Sequence, residues 1–229
     1  MAIANVQNVS NATGFGSSLS ITASALTAGN VIVVAGRIAN EALTLAPSAT
    51  GVTFTTLIGP TDHSSGSVNL RAYLWLGVVN TGGATTVTLT LNSSSDTIHG
   101  WVSEFSGVAT SSALDQSTTA QSATAGTSGN ITGTVTTTQA DELLIAHFAL
   151  TGSSGGATAG SGYTTIVPSG TARASLGEYR IVSSTGNYDC PFSWTSSFNW
   201  IVQFASLKAA VTVSVVPRVM HHRTMQGMS

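Results

Sequence analysis

Along this chain apolar and β-branched residues alternate with polar ones at a period of two, in short runs bounded by Gly, Asn and Ser clusters. Successive side chains of a strand point to opposite faces, so this period predicts strands. The runs fall near 18–25, 30–38, 51–58, 69–79, 85–91 and 98–106, and again near 130–137, 142–150, 162–167, 173–182, 189–194 and 199–207. Turn signals separate them, among them Thr27-Ala28-Gly29-Asn30, Asn80-Thr81-Gly82-Gly83 and Ser183-Ser184-Thr185-Gly186-Asn187. Many short strands at this spacing predict an all-β fold, an antiparallel, jelly-roll-like sandwich with Greek-key links.

The second set of strands echoes the first. Val31-Ile32-Val33-Val34-Ala35 is answered by Leu143-Leu144-Ile145-Ala146, Arg71-Ala72-Tyr73-Leu74 by Arg173-Ala174-Ser175-Leu176, and Trp101-Val102-Ser103-Glu104-Phe105 by Trp200-Ile201-Val202-Gln203-Phe204. Order is kept and spacing drifts little, which is the signature of a duplicated β-unit. The chain then divides into an N-terminal segment (1–17), a first β half (18–108), a Ser/Thr/Ala-rich linker (109–128), a second β half (129–210) and a C-terminal arm (211–229). The halves could form two sandwiches or interleave into one. Each alone would bury a marginal core, which favours the single sandwich.

Charged residues are 7% of the chain and net charge is −2, so the surface must be Ser, Thr, Asn and Gly. Such a surface gives little electrostatic protection against strand-edge pairing, and one reading is that neighbours in an assembly cover it. One lysine and six arginines, with no basic run, argue against nucleic acid. No run reaches the roughly 18 apolar residues of a membrane span, and no secretory signal opens the chain. Cys190 is alone, so no intrachain disulfide is expected, and its Phe/Trp-rich setting suits a small buried residue.

The arm differs from the rest. Val211-Thr212-Val213-Ser214-Val215-Val216 is strand-like, Pro217 stops it, and Arg218, Met220, Arg223 and Met225 come after it without periodicity. Methionine fills irregular grooves, so this mildly basic segment suits docking into a neighbour.

Candidate chemistry is sparse. Gly152-Ser153-Ser154-Gly155-Gly156 matches the serine-hydrolase pattern, but Ala157-Thr158-Ala159-Gly160-Ser161-Gly162, next in the chain, reads as loop rather than helix. Asp62-His63 and Asp96 with His99 are acid–histidine neighbours without a nucleophile at an elbow; Asp62 suits a turn and His99 a strand end near solvent. Glu104 and Glu178 lie in strands, where edge or solvent-face positions are expected. His221-His222 lack a third ligand nearby. No catalytic, cofactor or metal residues are therefore nominated. Arg71, Tyr73 and Trp75 share one strand face while Ala72, Leu74 and Leu76 share the other. If the aliphatic set is core, the row faces outward, where aromatics beside an arginine could bind a glycan, or into a second layer, where Tyr73 and Trp75 are core.

Gly29-Asn30-Val31-Ile32-Val33-Val34, Ala46-Pro47-Ser48, Ala72-Tyr73-Leu74-Trp75 and Glu104-Phe105-Ser106-Gly107-Val108 with Leu114-Asp115 resemble motifs of β-sandwich proteins encoded in phage structural regions and of bacterial surface proteins. The likeness covers roughly 18–208, departs at Asn30, where the pattern has an acid, and at the first turn, which lacks the pattern's tryptophan. It implies a non-enzymatic role on a particle: a virion decoration, capsid-surface or tail/fibre protein. Such a protein would be homo-oligomeric, contact other capsid or tail proteins, and need no cofactor. It would reside in the virion after assembly in the host cytoplasm, or alternatively be extracellular. A carbohydrate-binding module is the alternative function.

Overall fold

The structure is a computed structural model and describes residues 2–63, 68–131, 135–167 and 173–211, with the backbone alone for residues 10–14. The first half contributes β1 (Ala4–Gly16), β2 (Ser18–Thr22), β3 (Val31–Ile38), β4 (Leu45–Ser48), β5 (Val52–Asp62), β6 (Arg71–Val79), β7 (Thr86–Leu91) and β8 (Asp96–Ser106). The second contributes β9 (Leu114–Gln121), β10 (Gly126–Gly129), β11 (Val135–Thr136), β12 (Glu142–Ser154), β13 (Thr158–Ala159), β14 (Thr164–Thr165), β15 (Arg173–Val182), β16 (Asn187–Tyr188), β17 (Phe192–Phe198) and β18 (Trp200–Lys208). The fold is all-β and antiparallel, as the alternation predicts.

The duplication is topological as well as sequential. The first half forms a five-stranded sheet ordered β1-β8-β3-β6-β5 and a three-stranded sheet ordered β2-β7-β4. The second forms β9-β18-β12-β15-β14 (the same order read from the other end) and β10-β17-β13, with β11-β16 as an added pair. Consecutive strands mostly cross between large and small sheet, the jelly-roll habit. The halves do not interleave. Each is its own sandwich, so the single-sandwich expectation is corrected.

The marginal core of each half is resolved by a third packing surface. The two large sheets lie face to face, making four layers. Val31, Val33, Ala35, Leu74, Trp101 and Phe105 of the first half join the second half's buried residues in one cluster, while Ile32, Val34, Tyr73, Trp75 and Val102 look the other way, into the first half's small sheet. Leu143-Leu144-Ile145-Ala146 and Val31-Ile32-Val33-Val34-Ala35 are therefore apolar at every position because both faces are covered. The seam has an internal two-fold pattern. β8 lies on β15 as β18 lies on β6, β3 lies on β15 as β12 lies on β6, and β3 meets β12 at the centre. This is how two copies meet in an isologous dimer, here within one chain.

The short strands β4, β10, β13 and β16 and the longer β1 and β9 fall outside the predicted runs. β1 falls in the expected N-terminal segment and β9 in the expected linker, yet each is the edge strand of a large sheet, pairing with β8 and β18. Their sequences are mostly polar, because an edge strand half-covered by its sheet needs few apolar residues. The Trp/Phe echo also changes face. Trp101 donates its indole N–H to Leu176 O across the seam (3.1 Å). Gln203 also reaches across the seam, to Thr61 and Ala72, so its neighbour Phe204 points away, into the second half's own core. A one-residue slip in register turns a whole strand over.

Trp101 is fully buried, and a Cβ added at Gly177 would sit 2.8 Å from its ring. Gly177→Val is expected to cost about 1–3 kcal/mol by overpacking, and the penalty should shrink in a Trp101→Ala background. Urea denaturation of the two single variants and the double variant checks this.

Candidate functional site

The chemistry-bearing side chains gather at the seam and at the ends of the two sandwiches. In mid-seam, His147 on β12 is fully buried between Gln203 on β18 and Ser175 on β15: Nδ1 lies 3.0 Å from Gln203 Oε1 and Nε2 lies 2.8 Å from Ser175 Oγ. Gln203 then donates its amide to Thr61 Oγ1 (2.9 Å), Ala72 O (3.2 Å) and Ile58 O (3.4 Å) of the first half. The network satisfies its members and fixes one sandwich against the other. Burial holds His147 down at about 4, so it is neutral at pH 7.

His63 is also buried, not in an open loop. Its Nε2 lies 3.2 Å from Ser122 Oγ. Ser122 Oγ in turn donates to Asn199 Oδ1 (3.3 Å) and accepts the Trp200 N–H (3.0 Å). The hydroxyl is spent on tying β9 to the start of β18, a joint between strands. Asp62 closes β5, and the turn expected of it would involve residues that lie outside the described ones. Its carboxylate receives Arg71 Nε and Nη2 at 2.5 and 2.6 Å.

The aromatic row is placed differently from the glycan-binding expectation. Arg71 is held by Asp62 and by Leu43 O (2.8 Å). Tyr73 and Trp75 are each 4% exposed and stack on one another, centroids 5.0 Å apart. No ring face is open to a sugar. The premise that one face of this strand is core and the other solvent fails, because β6 is covered on both sides.

Nor does the serine-hydrolase pattern make an elbow. Ser154 Oγ accepts the N–H groups of Thr195 and Ser196, both at 3.1 Å, which clamps β12 to β17. Cys190 is buried, and that burial pushes its thiol up, away from the thiolate. Among the described residues no group of three His, Cys, Asp or Glu could hold a metal; His221 and His222 lie outside them, as do Val213, Val215, Pro217, Arg218, Met220, Arg223 and Met225 of the expected arm. The chain matches no protein-family model, no curated protein and no solved structure.

Glu104 and Glu178, expected at edges or on the solvent face, are fully buried, and so is Glu142. Glu104 accepts Thr27 N–H (2.9 Å), Asn30 Nδ2 (2.7 Å) and Gln7 Nε2 (2.6 Å), locking β8 to the turn before β3 and to β1. Asn30, the departure from the family-like acid, is thus the partner of an acid one strand away. In the second half the acid is on the other strand. Glu142 opens β12 beside Asp115 of β9, and burial first, then the Asp115 charge, push it up to about 7. Burial opposes ionisation of Asp115 too, but the Thr138 hydroxyl (2.6 Å) and N–H (2.7 Å) hold it below the ordinary carboxylate range. Glu178 faces the second half's core, accepts Gly160 N–H (2.8 Å), and is pushed by burial up to about 8. No sequence signal distinguished these from surface glutamates, since periodicity reports a face and not what covers it.

These shifts oppose one another across pH. Glu142 and Glu178 keep protons in the folded chain that the unfolded chain loses above about 4.5, so their contribution falls as pH rises toward 7 and 8. His147, and His99 of β8 at about 3, refuse protons that the unfolded chain binds below 6.5, so their contribution falls on acidification. Stability should be flat between about pH 4.5 and 6.5, where the two trends oppose, and decline on either side. Glu178→Gln should flatten the alkaline limb and tilt the plateau, so that stability rises with pH between about 4.5 and 6.5, while the decline below about pH 4 is unchanged, as measured by melting temperature from pH 3 to 9.

Proposed function

We propose that this chain is a non-enzymatic structural protein of a phage virion or similar particle, a decoration, capsid-surface or tail/fibre component that assembles through sheet edges and its C-terminal segment. The observation that carries the reading is β1. It is a 13-residue edge strand with no lysine, arginine or proline, and it leaves Phe15 80% and Val6 48% exposed. Soluble chains guard edges of this length with charge, proline, bulges or a covering element, and of these β1 has register shifts at Asn5/Gln7 and Asn11/Gly14 but neither charge nor proline. This edge is suited to being covered by another chain.

The end of the described chain supports the same reading. Ala210 and Val211 line a groove of about 600 Å³ together with Ala2, Ile3 and Ile181, and Val211 is 86% exposed. The sequence that continues from it alternates Val with Thr and Ser through Val216, the pattern of a strand that adds to a neighbour's sheet edge. His147, Ser175 and Gln203 in mid-seam are spent on holding the sandwiches together, which suits a building block better than a catalyst.

Full-length protein is expected to form a discrete oligomer, and a version ending at Ala210 a folded monomer, by light scattering after size exclusion. An unchanged oligomeric state in the truncated chain would overturn assembly through the segment. Phe15→Lys should weaken the oligomer in the full chain while leaving the melting temperature of the monomer unchanged.

A further inference from the structure

One buried charge in the seam forms no ion pair. Arg37, the last seam-facing residue of β3, is 4% exposed. Its Nη2 donates weakly to Thr151 O (3.4 Å), and its Nε is buried with no hydrogen-bond partner. Directly across the ladder stands His99 of β8, 2% exposed, whose Nδ1 also has no partner. Two unspent nitrogens on paired residues face the same seam.

No carboxylate reaches them. All nine Asp and Glu side chains lie within the described residues, and Arg37 forms no ion pair with any. The nearest acid by its field, Asp96, is occupied by backbone: its oxygens accept the N–H groups of Ala39 (2.8 Å), Asn40 (2.8 Å) and Thr97 (2.6 Å). Positive charge accumulates further at this end. Arg173 opens β15, a strand that faces β8 across the seam. Both guanidinium charges act on His99. A guanidinium removed from water without a paired charge is among the costliest burials a fold can carry.

We propose that a small inorganic anion of halide size, chloride in ordinary media, binds at this end of the seam between Arg37 Nε and His99 Nδ1. The geometry selects a monatomic ion. Arg37 and His99 are 4% and 2% exposed, so an ion held between them is small and shed of its water. Arg173, partly exposed at the mouth, gives the ion a charged approach from solvent. The bound ion neutralises Arg37 and completes the polar belt that joins the two sandwiches. The site is independent of the assembly role.

The test is thermal unfolding of the full chain at pH 7 in sodium chloride against sodium gluconate at equal ionic strength. Chloride and bromide should raise the melting temperature by a few degrees, and Arg37→Met should abolish the difference. Equal melting in the two salts, a response to phosphate without one to chloride, or an Arg37→Met protein that keeps the chloride response would each overturn the proposal. Should Arg37→Met fail to fold, crystals of the natural sequence soaked in bromide decide the matter. An anomalous peak at hydrogen-bond distance from Arg37 Nε and His99 Nδ1 supports the site, and a water in that place overturns it.

Discussion

The structure depends on the burial of one large sheet against the other. Each half of the chain builds a small sandwich whose five-stranded sheet would, alone, expose an apolar outer face. Val31, Val33, Trp101 and Phe105 on one side, and the seam-facing residues of β12, β15 and β18 on the other, remove each other from water. Burial of this kind scales with apolar area removed, and large aromatic and branched side chains supply most of it. Three features depend on this contact: the double-sided burial of β3, β6 and β12, the polar belt that must be satisfied inside it, and the absence of an open aromatic face on β6.

The polar groups inside the seam and at the sandwich ends show how a nearly uncharged protein still specifies one arrangement. His147, Ser175 and Gln203 form a network that reaches backbone carbonyls of the opposite half, so the two sheets have one preferred register. The duplicated halves use the same idea with exchanged parts. A carboxylate on β8 accepts from an asparagine before β3 in one, and a carboxylate opening β12 is buried beside Asp115 of β9 in the other. Duplication preserved the topology, while the hydrogen-bonding partners were redistributed between neighbouring strands.

A scaffold of this kind offers function at its margins. The centre is packed and its polar atoms are largely committed to one another. The large sheets end in polar edge strands, β1 and β9, and the chain leaves the second sandwich beside Ala2 and Ile3, at the start of β1. An edge strand and a groove therefore stand at one end of the molecule, beside the last of the described residues. That placement favours a role in which chains add to chains.

The sequence by itself determined the fold class, most strands and the duplication, because period-two alternation and echoed order depend only on local geometry and chain connectivity. It also carried, in the unbroken apolar runs at Val31–Ala35 and Leu143–Ala146, the mark of strands covered on both faces. Tertiary structure alone decided what covered each face. Tyr73 and Trp75 alternate correctly with Ala72 and Leu74, yet whether an alternate face meets water or a second layer is a long-range matter. The same holds for Glu178, His99 and Arg37, whose neighbours come from strands distant in the chain, and for β1 and β9, whose polar sequences read as loop until a sheet edge gives them hydrogen bonds.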